Sequence, residues 1–215
     1  MKTISINELS EAVRTNLDEL KFNESMMVGG DDLELDRLIG NVAGVCADEV
    51  HTSAPSHLLD GVDVLLDDNT VTVDEKDNRV LILCPQDIVR LVAFRATDSD
   101  MTVASVVPED SPAGRMQKDR FVRGTYDDPV MVAVQGATGI NTQLKYYSLK
   151  DPVTGAPAAK VDVFKVIYRQ IGGAGYVEIS DNVISNYYDL VTSRVLSILG
   201  ETTKAQEFLA RASFA

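Results

Sequence analysis

At 215 residues, 45% of them hydrophobic and 25% charged, the chain is long enough to bury one sizeable core or two smaller ones. Its 33 acidic residues against 20 basic give a net charge of −13, which argues against a surface built for tight phosphate contact and so against a nucleic-acid-binding protein. No apolar run approaches the roughly 20 residues needed to span a bilayer, so no membrane partner is expected, and MKTISINELSEAV lacks the apolar stretch of a secretory signal. Cys46 and Cys84 lie far apart in apolar segments and read as buried free thiols of a reducing compartment rather than a disulfide. The charge is uneven: residues 1–111 sum to −15 and residues 112–215 to +2. That split suits either a chain that meets a copy of itself or a neighbour head to tail, or a merely soluble acidic surface.

In chain order, Ser5-Ile6-Asn7-Glu8 reads as a capping box opening a helix that carries Leu9, Val13, Leu17 and Leu20 on one stripe and ends near Lys21. Asn23 to Gly30 is a loop. Asp31 or Asp32 caps a longer helix with Leu35, Ile39, Val42, Cys46 and Val50 at helical spacing and with Leu38 and Val45 widening the stripe; Pro55 stops it. Gly40 and Gly44, four apart, suit a close helix crossing. From Gly61 to Ile179 the pattern is of strands. Val71 and Val73 alternate with threonines. Val80 to Cys84 is a β-branched run suited to burial on both faces, Pro85 ends it, Gln86, Asp87 and Ile88 make one tight turn or short helix, and Val89 to Phe94 resumes an extended pattern inside the same core. Met101 to Val107, Val130 to Gln135, Gln143 to Leu149, Val161 to Arg169 and Tyr176 to Ile179 follow. Turn residues separate them at Asp127-Asp128-Pro129, Gly136 to Asn141, Asp151 to Pro157 and Gly172 to Gly175. The last segment is helical again: Ser180 or Asp181 caps a run with Ile184, Tyr187, Tyr188, Val191, Val195 and Ile198, and Gly200 sits where a C′ glycine belongs. Thr203 to Gln206 resembles a second capping box, opening a helix with Phe208, Leu209 and Ala212 inside and Glu207 and Arg211 paired.

The expected fold class is therefore α+β. N- and C-terminal helices (1–60 and 180–215) form a bundle, and an antiparallel, sandwich-like β-rich domain (61–179) is inserted between them. Leu35, Ile39, Val42, Ile184, Val191 and Val195 are expected in the bundle interface.

Chemical motifs are sparse. Gly29-Gly30-Asp31-Asp32 has the acids of a magnesium-binding hairpin, but a helix follows at once and a turn with an N-cap explains it. Cys46 and His51 are five apart on a helix and do not share a face, so with His57 they make no zinc site. Gly172-Gly173-Ala174-Gly175 lacks the strand–turn–helix setting of a dinucleotide loop. No spacing joins Ser180, Asp181, His51 and His57 into a catalytic triad. No cofactor, no metal and no enzymatic activity are expected. The local reversal of sign is Arg115, Lys118, Arg120 and Arg123, within a polar insert over residues 108–123. It reads as a contact for acidic protein surface or as a solvated helical face; a nucleic-acid role lacks interleaved aromatics.

This order of elements resembles the head–tail connector ring proteins of tailed bacteriophages, the adaptor or tail-tubular type found below the portal. Ile82-Leu83-Cys84-Pro85-Gln86-Asp87-Ile88-Val89-Arg90-Leu91 is similar to that family's strand followed by Pro-x-Asp, apolar residues and Arg. His57-Leu58-Leu59-Asp60-Gly61 and the insert ending Arg120-Phe121 resemble related proteins of phages that infect gut Bacteroidetes-like hosts. The resemblance implies a virion structural protein, assembled in the host cytoplasm. It would form a dodecameric homo-oligomeric ring between the portal protein and the next tail ring, through which DNA passes without tight binding. No single functional residue carries over. The alternative is an enzyme or a monomeric accessory binding domain whose site is spread over loops.

Overall fold

The computed structural model describes residues 1–19, 31–63, 71–74, 79–83, 88–96, 102–103, 106–119, 121–124, 130–135, 142–147, 161–170 and 175–214. The Asn23 to Gly30 loop, Cys84 with the Pro85-Gln86-Asp87 turn, the turns expected at 127–129, 136–141, 151–157 and 172–174, and Arg120 lie outside them, as do the side chains of Asp31 and Asp32.

The chain is mixed α+β and divides into two compact units, Met1–Asp60 with Gln170–Ala215, and Gly61–Arg169. The expected second boundary, between 179 and 180, therefore moves back to 169/170. The cause is a pairing that the sequence does not advertise. Strand β1 (Lys2–Ser5) runs antiparallel to β10 (Tyr176–Ile179), with Lys2 opposite Ile179 and Ser5 opposite Tyr176. Four residues with one buried side chain, Ile4, carry no alternation strong enough to read as a strand.

In the helical unit, α1 (Ile6–Glu19) starts where the Ser5 hydroxyl accepts from the Glu8 N–H at 3.1 Å. The Glu8 carboxylate accepts from Lys2 Nζ at 2.6 Å. Helix α2 (Asp31–Ser53) stops before Pro55, and a single 3₁₀ turn follows at Ser56–Leu58. Helix α4 (Ile184–Ile198) packs against α1, α2 and α5 (Thr202–Ala212). Its C-terminus is a Schellman motif: Gly200 has φ +87°, its N–H donates to Ser197, and the Glu201 N–H donates to Leu196 at 3.0 Å. Neither C-terminal helix is capped as expected. A 3₁₀ turn (Asp181–Val183) precedes α4, and Ser180 spends its hydroxyl elsewhere. Helix α5 begins at Thr202, after Glu201, with no side-chain cap. Gly40 and Gly44 are not sites of forced close approach, since a Cβ at either would meet its nearest neighbour at 3.9 or 3.7 Å, an ordinary contact.

In the β unit, β2 (Val62–Asp63), β9 (Val161–Tyr168) and β5 (Ile88–Ala96) form one sheet in the order β2-β9-β5. The other has the order β3-β4-β8-β7-β6, from β3 (Val71–Asp74), β4 (Arg79–Leu83), β8 (Thr142–Tyr147), β7 (Met131–Gln135) and β6 (Val106–Pro108). A single bridge from Phe94 to Val103 carries the chain along the free side of β5. One apolar cluster draws on both sheets: Ile82, Met131 and Leu144 from one, Leu91, Phe94, Phe164 and Val166 from the other, with Val103. This is the sandwich principle, with β4 and β5 in different sheets but one core. Leu81 is only half-buried beside Ile82, so β4 is not sealed on both faces as expected. The pairs are antiparallel except β6–β7, which is parallel. Parallel neighbours need a crossover of about a dozen residues or more, and the polar insert between Pro108 and Met131, containing α3 (Pro112–Met116), is that crossover.

Candidate functional site

The basic insert is an ordered platform. Ser111 caps α3, its Oγ accepting from the Gly114 N–H at 3.0 Å and donating to the Pro108 carbonyl at 2.6 Å. Gly114 has no room for a side chain, because a Cβ there would collide with the Pro108 carbonyl oxygen. Buried Gln117 closes the loop: Nε2 donates to Ala113 O at 3.2 Å, and Oε1 accepts from the Gly124 N–H at 2.7 Å. Asp119 shapes the tip, its Oδ1 accepting from the Phe121 N–H at 2.9 Å and its carbonyl from Val122 and Arg123.

The four predicted cations differ in fate. Lys118 Nζ lies 3.3 Å from Glu109 Oε1, an oxygen it shares with Lys145 at 3.2 Å. The Lys145 hydrogen bond, with Lys118 adding to it, holds the Glu109 carboxyl below the usual carboxylate range. Arg115 is exposed, Arg123 is half-buried, and Arg120 is outside the described residues. What the sequence reading missed is apolar: Phe121 is 82% exposed, Val122 51% and Met116 48%. The signal available was Phe121 itself, an aromatic with no periodic partner inside a polar segment.

Of the six predicted bundle residues, Leu35, Ile39, Val191 and Val195 are buried, while Val42 and Ile184 are half-buried. The stripe on α2 is narrower than expected, for Val45 is 68% exposed. Between the C-terminal half of α2, α4 and α5 lies a groove of about 250 Å³, lined by Glu49, Val50, Leu190, Leu209, Ala212 and Phe214. Leu209, expected inside, is 44% exposed because it stands at this groove instead. At its edge Arg194 Nη2 meets both Glu49 oxygens at 2.9 and 2.8 Å, which raises the guanidinium pKa further. Helical spacing places Val45 one turn before Glu49, and Ile198, also exposed, one turn after Arg194.

Of the polar residues considered for chemistry, Ser180 and His51 are engaged structurally, whereas His57 and Asp181 are exposed. Ser180 and His51 do meet, but the His51 Nε2 accepts from the Ser180 backbone N–H at 3.3 Å, not from its hydroxyl. The Ser180 Oγ is committed to the Asp60 peptide, accepting from its N–H at 3.1 Å and donating to its carbonyl at 3.2 Å. Both Ser180 and His51 are fully buried. A nucleophile so held has no activated lone pair and no path to substrate. Burial pushes the Cys46 thiol up to about 12, which keeps it protonated and unreactive. Among the described residues no three His, Cys, Asp or Glu side chains gather as a metal would require, and no helix is long and apolar enough to cross a membrane. Comparison with known families, curated proteins and solved structures finds no match.

Proposed function

We propose that the chain is a ring-forming structural protein of a bacteriophage virion, a head–tail connector that links the portal to the tail and lines the channel through which DNA leaves. The observation that carries this reading is the interrupted helical unit. Residues 1–60 and 170–215 fold together while Gly61–Arg169 form a β unit inserted between them, the arrangement that the resemblance implies. The charge agrees with the role. The helical unit holds 7 basic and 17 acidic residues, and a negative wall repels the phosphates of a passing duplex.

The test is native mass and negative-stain imaging of the purified protein over a range of concentrations, alone and with a portal. Closed rings or a portal-bound collar support the proposal. A monomer under every condition sinks it and favours the accessory-domain alternative.

A further inference from the structure

We infer that Phe121 of one copy seats in the α2–α4–α5 groove of the next copy, so that the basic insert and the acidic helical unit are the two halves of one head-to-tail contact. The inference rests on the ring reading above and names the surfaces that would build the ring. Three observations converge on it.

The insert is a knob. Met116, Phe121 and Val122 are large, apolar and exposed within seven positions, on a loop already fixed by Ser111, Gln117 and Asp119. An aromatic presented on a rigid scaffold loses little conformational freedom on binding, which is why such residues anchor interfaces. The groove is a matching hole. A cavity of about 150 Å³ accepts a benzene ring, and this one is about 250 Å³ with Val50, Leu190, Leu209 and Ala212 in its lining. The charges are complementary. The insert over residues 108–123 holds Arg115, Lys118, Arg120 and Arg123 against Glu109, Asp110 and Asp119, with Lys118 bound to Glu109, and is weakly positive, whereas the helical unit that holds the groove is at −10. Because the knob and the hole are different surfaces, the contact is heterologous and propagates from copy to copy until rotation closes it.

Two exposed positions test it without disturbing the fold: Phe121→Asp on the knob and Leu209→Asp in the groove, each checked by circular dichroism and measured by sedimentation of the full chain. Each variant alone is expected to lose self-association by about tenfold or more. Mixed together they are expected to form a dimer and nothing larger, because the mixture contains one intact knob and one intact hole per pair. Full assembly by Phe121→Asp alone, from a wild type that forms rings, overturns the inference and leaves the ring reading standing. A wild type that never associates overturns both. Failure of the mixed variants to pair, while the wild type assembles, removes the knob-and-hole geometry.

Discussion

The helical unit and the β unit are held together by different means. The β unit is one continuous stretch, and an apolar cluster joins its two sheets. The helical unit is made of two stretches separated by the whole β unit, and polar bonds between them add to its apolar core. Tyr187 Oη donates to the Ala43 carbonyl at 3.2 Å, and Asn16 Nδ2 donates to Thr192 Oγ1 at 3.1 Å. The points where the chain leaves and returns are fastened too. Ser180 grips the Asp60 peptide, and the Gln170 N–H donates to Asp48 Oδ1 at 3.2 Å. An interrupted fold must fix two chain ends against each other, and apolar packing, being non-directional, does not specify where. Directional bonds at the junction do.

The sharpest way to break this comparison is to open each core. Phe94→Ala deletes a ring that lies edge-on to Phe164 at 6.0 Å and should cost about 3–5 kcal/mol. Ile39→Ala should cost about 2–5 kcal/mol, and half-buried Val42→Ala clearly less, by denaturant titration. Equal losses at Ile39 and Val42 would contradict the burial pattern on α2. Next in size, Ser180→Ala leaves the half-buried Asp60 peptide without its partner, at about 1 kcal/mol, with increased amide exchange at Asp60. A neutral result would show that the junction needs no tie.

Alkaline titration gives a smaller, signed effect. The folded chain holds the Cys46 proton up to about 12, against an ordinary value of 9.0, so this contribution is complete below pH 9 and is lost as pH rises toward 12. The slope is about 1.4 kcal/mol per pH unit. Tyr187, also pushed up by burial, adds to the loss above pH 10. Cys46→Ala should flatten the stability curve between pH 9 and 10, and an unchanged curve would count against a protonated thiol. Smallest of all, Glu109→Gln in the β unit should cost at most about 1 kcal/mol at neutral pH, because the site is part-exposed. That contribution belongs above the ordinary carboxylate range and disappears as pH falls through the depressed value, so wild type and variant should converge in acid.

Long helices were legible because their apolar periodicity survives any neighbour: Leu9, Val13, Ile39, Val50, Val191 and Val195 are all buried where the stripe put them. Strand positions were legible from alternation and turn residues. Which strands pair was not, since pairing joins residues far apart in sequence. That is why β1 with β10, and the parallel β6–β7 pair, were invisible. The surface features failed for the same reason. Leu209 fits its helix stripe, and only the positions of α2 and α4 decide that it edges a groove. Ser180 looked like a cap, and its use on Asp60 depends on a residue on the far side of the β unit.

The interruption also imposes a timetable on synthesis. Helices α1 and α2 are made before the β unit, but α4, the helix they pack on, is made after it. At about 5–20 residues per second, the intervening stretch takes on the order of ten seconds to emerge. During that interval Ile39 and Val50 have no α4 to bury them, and the β unit gains its last strand, β9, only at the end of it. We expect a released chain ending at Arg169 to show a protease-resistant β unit and a protease-sensitive α2; protection of α2 in that chain would contradict it. The groove on the helical unit is thus completed only after the β unit, when α4 and α5 have both been made.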